Sequence, residues 1–260
     1  MRILDTGIKN KVALVCASTA GLGLAAAKGL AAEGAHVVIS GRRGDLATEI
    51  AQSLPRAIGV EVDLAIPGSA EKLIATTKSE LGTPDILILN SGGPKPGSAA
   101  SVTRSQYLEA LEYMMLQHME LVRGVLPGMI EKGWGRIVAI GSTAIQTPNP
   151  DLALSGIIRA SLASYLKMLS REVAANGITV NMALPGRVDT DRVQFLDDQM
   201  SKKLDLPLAD IQNKSLSTIP AGRYGKTEEF AALITFLCST GASFITGEQI
   251  RCDGGRVSSY

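Results

Sequence analysis

Histidine is nearly absent from this 260-residue chain, which has two, and aromatic residues make up only 4% of it. With His36 and His118 alone, and no Cys-x-x-Cys pair among three cysteines, no metal site built on imidazole or thiolate is expected. The odd, widely spaced set Cys16, Cys238 and Cys252 also speaks against a disulfide framework and points to a reduced, cytoplasmic setting. Charge of one sign is lacking as well, since 26 Lys and Arg stand against 25 Asp and Glu. Such a balance supplies no long-range field, so neither nucleic acid nor an anionic membrane is expected as a partner. No run of about 18 apolar residues could span a bilayer, and the opening MRILDTGIKNK has no apolar signal-peptide core. Without a Pro/Gly/Ser-rich linker or an internal repeat, the length reads as one α/β domain.

What the chain does contain is a rhythm. Short β-branched runs at 12–16, 36–40, 58–62, 85–89, 136–140 and 178–182 alternate with helical patterns near 22–33, 44–53, 68–81, 104–131, 153–176 and 227–240. A last short strand falls near 248–251. Alternation of this kind implies right-handed βαβ units and a parallel sheet covered by helices on both faces. The unbroken apolarity of 86–89 and 137–140 fits strands buried on both sides. The least regular stretch, 187–222, comes after a strand end, where open α/β sheets bind their ligands. It reads as a substrate lid, or else as a surface excursion without a role. Phe195, Leu196, Leu204 and Leu206 could line an apolar pocket there or pack the segment down.

The first strand runs into Ala17-Ser18-Thr19-Ala20-Gly21-Leu22-Gly23 before a helix begins. Strand, Gly-rich turn and helix in that order suit a dinucleotide pyrophosphate, which is favoured by the N–H groups and dipole of the helix start. The second strand ends in Arg42 and Arg43, about where an acidic residue would bind the ribose 2′-hydroxyl of NAD. Two guanidiniums suit a 2′-phosphate instead, so NADP is preferred to NAD, with Asp45 read as lying inside the next helix. Asp63 and Leu64 come after the third strand, and Asn90, Ser91, Gly92 and Gly93 after the fourth. These positions suit an adenine and a ribose, although Asp63 could equally cap a turn.

Taken in order, CASTAGLG (16–23), DL (63–64), NSGG (90–93), GRIVAIGS (135–142), GITVNMALPGRVDT (177–190), GRYGKTEEFA (222–231) and FITGEQIRCDGG (244–255) resemble the short-chain dehydrogenase/reductase family. The resemblance is closest to its 3-oxoacyl-carrier-protein reductase-like branch and runs from about residue 9 to 255. It implies a doubly wound Rossmann sheet of seven parallel strands, with the nicotinamide across its carboxyl edge. It also implies a homo-oligomer, commonly a tetramer, built through two long helices that correspond here to 104–131 and 153–176. Pro185, Gly186, Val188 and Thr190 match the segment that holds the nicotinamide carboxamide.

The family's reaction uses an Asn, a Ser, a Tyr and a Lys. Ser142 matches the serine that polarises the substrate carbonyl. Aligning KMLSREVAANGITVN (167–181) with the usual helix end places Arg159 at the lysine and Ser155 at the tyrosine, one helical turn apart. Met114 falls on the asparagine. A serine hydroxyl is a far weaker acid than a phenol of pKa about 10 and does not readily protonate a developing oxyanion. Arg159 retains positive charge and a possible ribose contact, but a guanidinium does not relay protons. His118 stands one turn beyond Met114 as a possible acid or a packing residue, while Tyr107, Tyr113 and Tyr165 do not match the family's tyrosine. Three functions are compatible with these residues: an NADP-dependent oxidoreductase acting on a carbonyl or alcohol with unusual catalysis, a non-catalytic NADP(H)-binding protein, or a lyase or epimerase on the same fold.

Overall fold

A computed structural model describes residues 5–259. Seven strands form one parallel sheet in the order β3-β2-β1-β4-β5-β6-β7. They are β1 (Val12–Val15), β2 (His36–Gly41), β3 (Ala57–Glu61), β4 (Ile86–Leu89), β5 (Gly135–Ile140), β6 (Ile178–Pro185) and β7 (Gln249–Cys252). The connecting helices are α1 (Gly21–Ala32), α2 (Gly44–Gln52), α3 (Ser69–Glu80), α4 (Arg104–Leu111), α5 (Gln117–Lys132), α6 (Ala153–Val173), α7 (Asp191–Leu204), α8 (Leu208–Leu216) and α9 (Thr227–Cys238).

Successive strand residues point to opposite faces, and each face has its own core. Leu14, Val38, Leu87, Ile137 and Val180 meet α3, α5 and α6 on one side. Ala13, Val15, Val37, Ile39, Ile88 and Val138 meet α1, α2 and α9 on the other. Burial of both faces is why 86–89 and 137–140 read as unbroken apolar runs. Arg136 is the exception on β5, only 2% exposed. Its guanidinium is satisfied by donating to the carbonyls of Gly135, Gly177 and Ser239 and by stacking over Trp134.

Two expectations need correction. The stretch 104–131 is not one continuous α-helix, because the π-turn Glu112–Leu116 separates α4 from α5. The extra residue in a π-turn shifts the angular register of the rest of the helix, and a simple helical count does not anticipate it. The stretch 187–222 is largely regular, containing α7 and α8. A buried polar cluster anchors it: Arg187 pairs with Asp197, Tyr224 Oη donates to Asp197 Oδ2 at 2.8 Å, and Arg187 Nε donates to Ser215 Oγ at 2.8 Å. The polar composition that suggests irregularity is partly this internal network. No helix of the described residues is long and apolar enough to cross a membrane.

Candidate active site

From β1 the chain winds outward through β2 to β3, then returns to β4 and runs the other way to β7. The crevice at that reversal, beyond the carboxyl ends of β1 and β4, opens into a cleft of about 700 Å³. The residues expected to bind the nucleotide and those expected to do chemistry line its two ends.

At the nucleotide end, α1 starts after Ala20, which provides no side-chain cap, so its first N–H groups are left to an anion. Ala17, Thr19, Gly21 and Leu22 line the cleft, whereas Gly23 does not. A Cβ on Gly23 would stand 2.5 Å from Ala17 O and 2.7 Å from Asn90 Nδ2, so this glycine lets α1 pack against the turn. Ala17 has a φ of 45°, in the left-handed region that glycine favours. Asn90 fixes that turn by donating from Nδ2 to Ala17 O at 3.1 Å. Ser18, to which the motif assigns no task, braces it from beneath: its Oγ donates to Val15 O at 2.8 Å and accepts from Ser40 N at 2.9 Å.

Arg42 and Arg43 line the same end, and Arg43 Nη2 donates to Thr19 Oγ1 at 3.0 Å. Asp45 lies in the first turn of α2, as expected. The wall is therefore cationic where a 2′-phosphate would rest, and the donor set fits NADP. Asp63 caps its own turn, Oδ1 accepting from Ala65 N at 3.0 Å, and with Leu64 also lines the cleft. Asn90 and Gly92 line it from β4, and Gly92 faces open space. Pro185, Gly186, Val188 and Thr190 line it from the end of β6, where Thr190 Oγ1 accepts from Val193 N at 3.4 Å and so caps α7.

At the other end, Ser142 Oγ accepts from Ala144 N at 3.1 Å, which leaves its own proton free to donate into the cleft. Ser155 lies on α6, and its Oγ accepts from Arg159 Nη1 one turn later. Its proton is free by the same argument. Burial, reinforced by nearby Arg192, lowers the Arg159 pKa to about 10.

Met114 is packed away with Ala110, Leu154 and Ile158. His118 is 2% exposed, its Nε2 is 3.2 Å from Asn90 O, and burial pushes its pKa down to about 4. It is neutral near pH 7 and supports the β4 loop from behind.

Tyr113 does not match the family's tyrosine by spacing, yet the structure brings it into the site. It belongs to the π-turn, is half-buried and lines the cleft with Ser142, Ser155 and Arg159. Burial and then Glu109 raise its pKa, against the opposing pull of Arg159, Arg192 and Arg42. The phenol is thus protonated near neutrality and surrounded by cations. Only recognition of the π-turn could have revealed its position. Arg192 and Leu196, on α7, also line the cleft, while Phe195, Leu204 and Leu206 are each 44% exposed. Of the four apolar side chains considered for a pocket, only Leu196 reaches it.

Comparison with known proteins bears on the family and the fold. The family profile described as enoyl-(acyl carrier protein) reductase matches residues 16–256. The chain is 32% identical to the 3-oxoacyl-[acyl-carrier-protein] reductase of Escherichia coli strain K12 over 248 residues, covering 95% of this chain and 97% of that one. It is 34% identical to the dehydrogenase/reductase SDR family member 4 of Bos taurus, covering 96% and 88%. L-sorbose reductase from Gluconobacter frateurii, solved with NADPH and L-sorbose, superposes with a TM-score of 0.93 at 29% identity, covering 99% and 100%. YwfH, an NADPH-dependent reductase involved in bacilysin biosynthesis, superposes with a TM-score of 0.91 at 26% identity, covering 96% and 99%. A seven-stranded doubly wound sheet and a profile match over nearly the whole length place this chain in the short-chain dehydrogenase/reductase family.

Proposed function

We propose that this protein is an NADP-dependent reductase of small carbonyl compounds whose proton donor is Tyr113. The observation that carries this reading is the convergence of Ser142, Ser155, Arg159 and Tyr113 on one end of a cleft whose other end is walled by Arg42 and Arg43.

Bound NADPH would supply a hydride to the carbonyl carbon. Ser142 and Ser155 donate hydrogen bonds to the carbonyl oxygen and orient it, their acceptor sites already occupied by Ala144 N and Arg159. Neither hydroxyl is acidic enough to surrender its proton, but the Tyr113 phenol is. As negative charge grows on the carbonyl oxygen, Tyr113 transfers its proton there, and the phenolate left behind is stabilised by Arg159 and Arg192. Water then reprotonates it. Arg159 also donates to the nicotinamide ribose, the role its position in the family pattern suggests. The stretch 187–222 acts as the lid, with Leu196 and Arg192 facing the bound molecules. Leu108, Leu116 and Ile130 on one long helical segment, and Ile157 and Met168 on α6, are exposed apolar residues that a homo-oligomer would cover.

The test is fluorescence titration with NADPH and NADH, then NADPH oxidation across ketones, aldehydes and acyl thioesters. Tighter NADPH binding with turnover of at least one carbonyl is expected. Tight NADPH binding without turnover would favour a second reading, a non-catalytic NADP(H)-binding protein, which the direct tie between Arg159 and Ser155 also suits. Failure to bind either nucleotide would sink both.

A further inference from the structure

The reaction end of the cleft holds more positive charge than carbonyl reduction needs. Arg159 rises from α6 and Arg192 leans in from the first turn of α7. Arg192 Nη2 donates to Pro94 O at 2.7 Å, and its guanidinium lies against Gly93, where a Cβ would stand 2.9 Å from Nη2. Its other neighbour is the Phe195 ring, 5.5 Å from Cζ to centroid. Among the described residues no carboxylate lies within 4.0 Å of either guanidinium, although Arg123, Arg187 and Arg223 all have such partners. Glu109 and Asp191, the two carboxylates lining this end, are exposed and bridge to neither.

Each guanidinium carries five N–H donors, and one hydrogen bond is made by each. Two partly buried cations face one cleft, Arg192 lies near enough to disfavour the charge of Arg159, and an anion between them would relieve that repulsion. The phosphates of a nucleotide have their own donors in Arg43 and the start of α1, and in Arg42, whose charge also reaches Tyr113. Arg159 keeps donors beyond its bond to Ser155 and a ribose contact, and with Arg192 it offers them to the substrate side.

We infer that Arg159 and Arg192 form a receptor for an oxyanion on the substrate, so that the protein takes a carbonyl compound bearing a carboxylate or a phosphate. This rests on the reading of the cleft as a reductase site. Planar forks match both groups in bidentate fashion, which gives the substrate a fixed orientation beneath Leu196. Arg192 also ties α7 to the loop after β4, so the anion and the Pro94 carbonyl share one side chain, and binding couples to the position of the lid.

The experiment is isothermal calorimetry on protein saturated with NADP⁺, using oxalate, malonate and succinate in one arm, phosphoglycolate and inorganic phosphate in the other, and malonamide as the neutral control. At least one anion is expected to bind while malonamide does not, and the better arm identifies the group. Arg192→Met should weaken that anion about tenfold or more, as expected for losing a charge-assisted fork, with NADPH affinity changed less than about twofold. Arg192→Lys, which keeps charge but not the fork, should fall between them. Absence of anion binding in both arms, or equal binding to the Met variant, overturns the inference. An equal loss of NADPH affinity in that variant overturns it too, because Arg192 then serves the cofactor. Repeating the anion titration without nucleotide separates failure of this inference from failure of NADPH to bind at all.

Discussion

The two ends of the cleft are built by different means. At the nucleotide end the backbone dominates: a turn held by Ser18, Ser40 and Asn90, an uncapped helix start, and two arginines adjacent in sequence. At the reaction end, side chains converge from a π-turn, from α6 and from α7, elements separated by tens of residues. A backbone receptor is written in short local spacings and tolerates few changes of shape. A side-chain receptor can exchange its members as long as the elements hold their places. That difference is how a phenol can enter the reaction end from Tyr113, on another helical segment than Ser155.

The sharpest way to break the comparison is Tyr113→Phe. If the acid has moved to this position, kcat should fall about 10²- to 10⁴-fold, the range for losing a positioned general acid, while NADPH affinity stays unchanged. The pH–rate profile should lose its alkaline limb. A variant that keeps both kcat and the limb would return the proton to a bound water. The double change Ser155→Tyr with Arg159→Lys probes the same question from the other side, and unchanged or lower activity would mark the present arrangement as a site with its own chemistry.

Next in size is an effect of His118, which supports the β4 loop between the two ends. Its folded pKa of about 4 lies below the ordinary 6.5 because burial disfavours the charged ring. Between these values the unfolded chain takes up a proton that the native protein does not, so stability rises with pH across that window and is lost as pH falls through it. The loss approaches about 3 kcal/mol by pH 4 and is nil above pH 6.5. Urea unfolding of the parent and of His118→Gln at pH values of about 4.5, 5.5 and 7 should show a flatter acid slope in the variant. Equal slopes would mean that the ring titrates normally.

The same contrast governs what could be read from the sequence. Alternation of strands and helices, a both-faces-buried sheet and most of the strand-end residues that line the cleft are legible in local pattern, because each strand end delivers its next few residues to one edge. Gly23 is legible as part of the turn motif but its task is not, since packing between α1 and the turn at Ala17 is a tertiary fact. Ser142, Ser155 and Arg159 are pointed to by alignment with the family pattern, and all three line the cleft. Tyr113 and Arg192 are not: the first depends on one extra residue in a helical turn, the second on a lid helix folding back over Gly93. Neither carries a local signature. The polar residues of 187–222 mislead for a related reason, as Arg187, Asp197, Ser215 and Tyr224 are polar in order to bond one another beneath the surface.

At the nucleotide end, replacing Arg42 and Arg43 together by Ala should weaken NADPH about tenfold or more and leave NADH nearly unchanged, as read by fluorescence titration. A parallel loss for both nucleotides would mean that these arginines hold the turn through Thr19 rather than reading a 2′-phosphate.

The smallest effect concerns Ala17. Its left-handed φ of 45° imposes on a Cβ a strain of about 1–2 kcal/mol, which Ala17→Gly would relieve. The variant also gives the unfolded chain more freedom, which costs about 0.4–1 kcal/mol, so the net gain should lie between about zero and about 1.6 kcal/mol. For a chain of this size that is a rise of at most about 3 °C in the thermal midpoint. NADPH affinity should stay the same, because the turn is fixed by Asn90 and Ser18 whatever residue stands at 17. A gain in affinity together with a lower midpoint would show instead that alanine stiffens the turn, and that the nucleotide end depends on its side chains as much as the reaction end does.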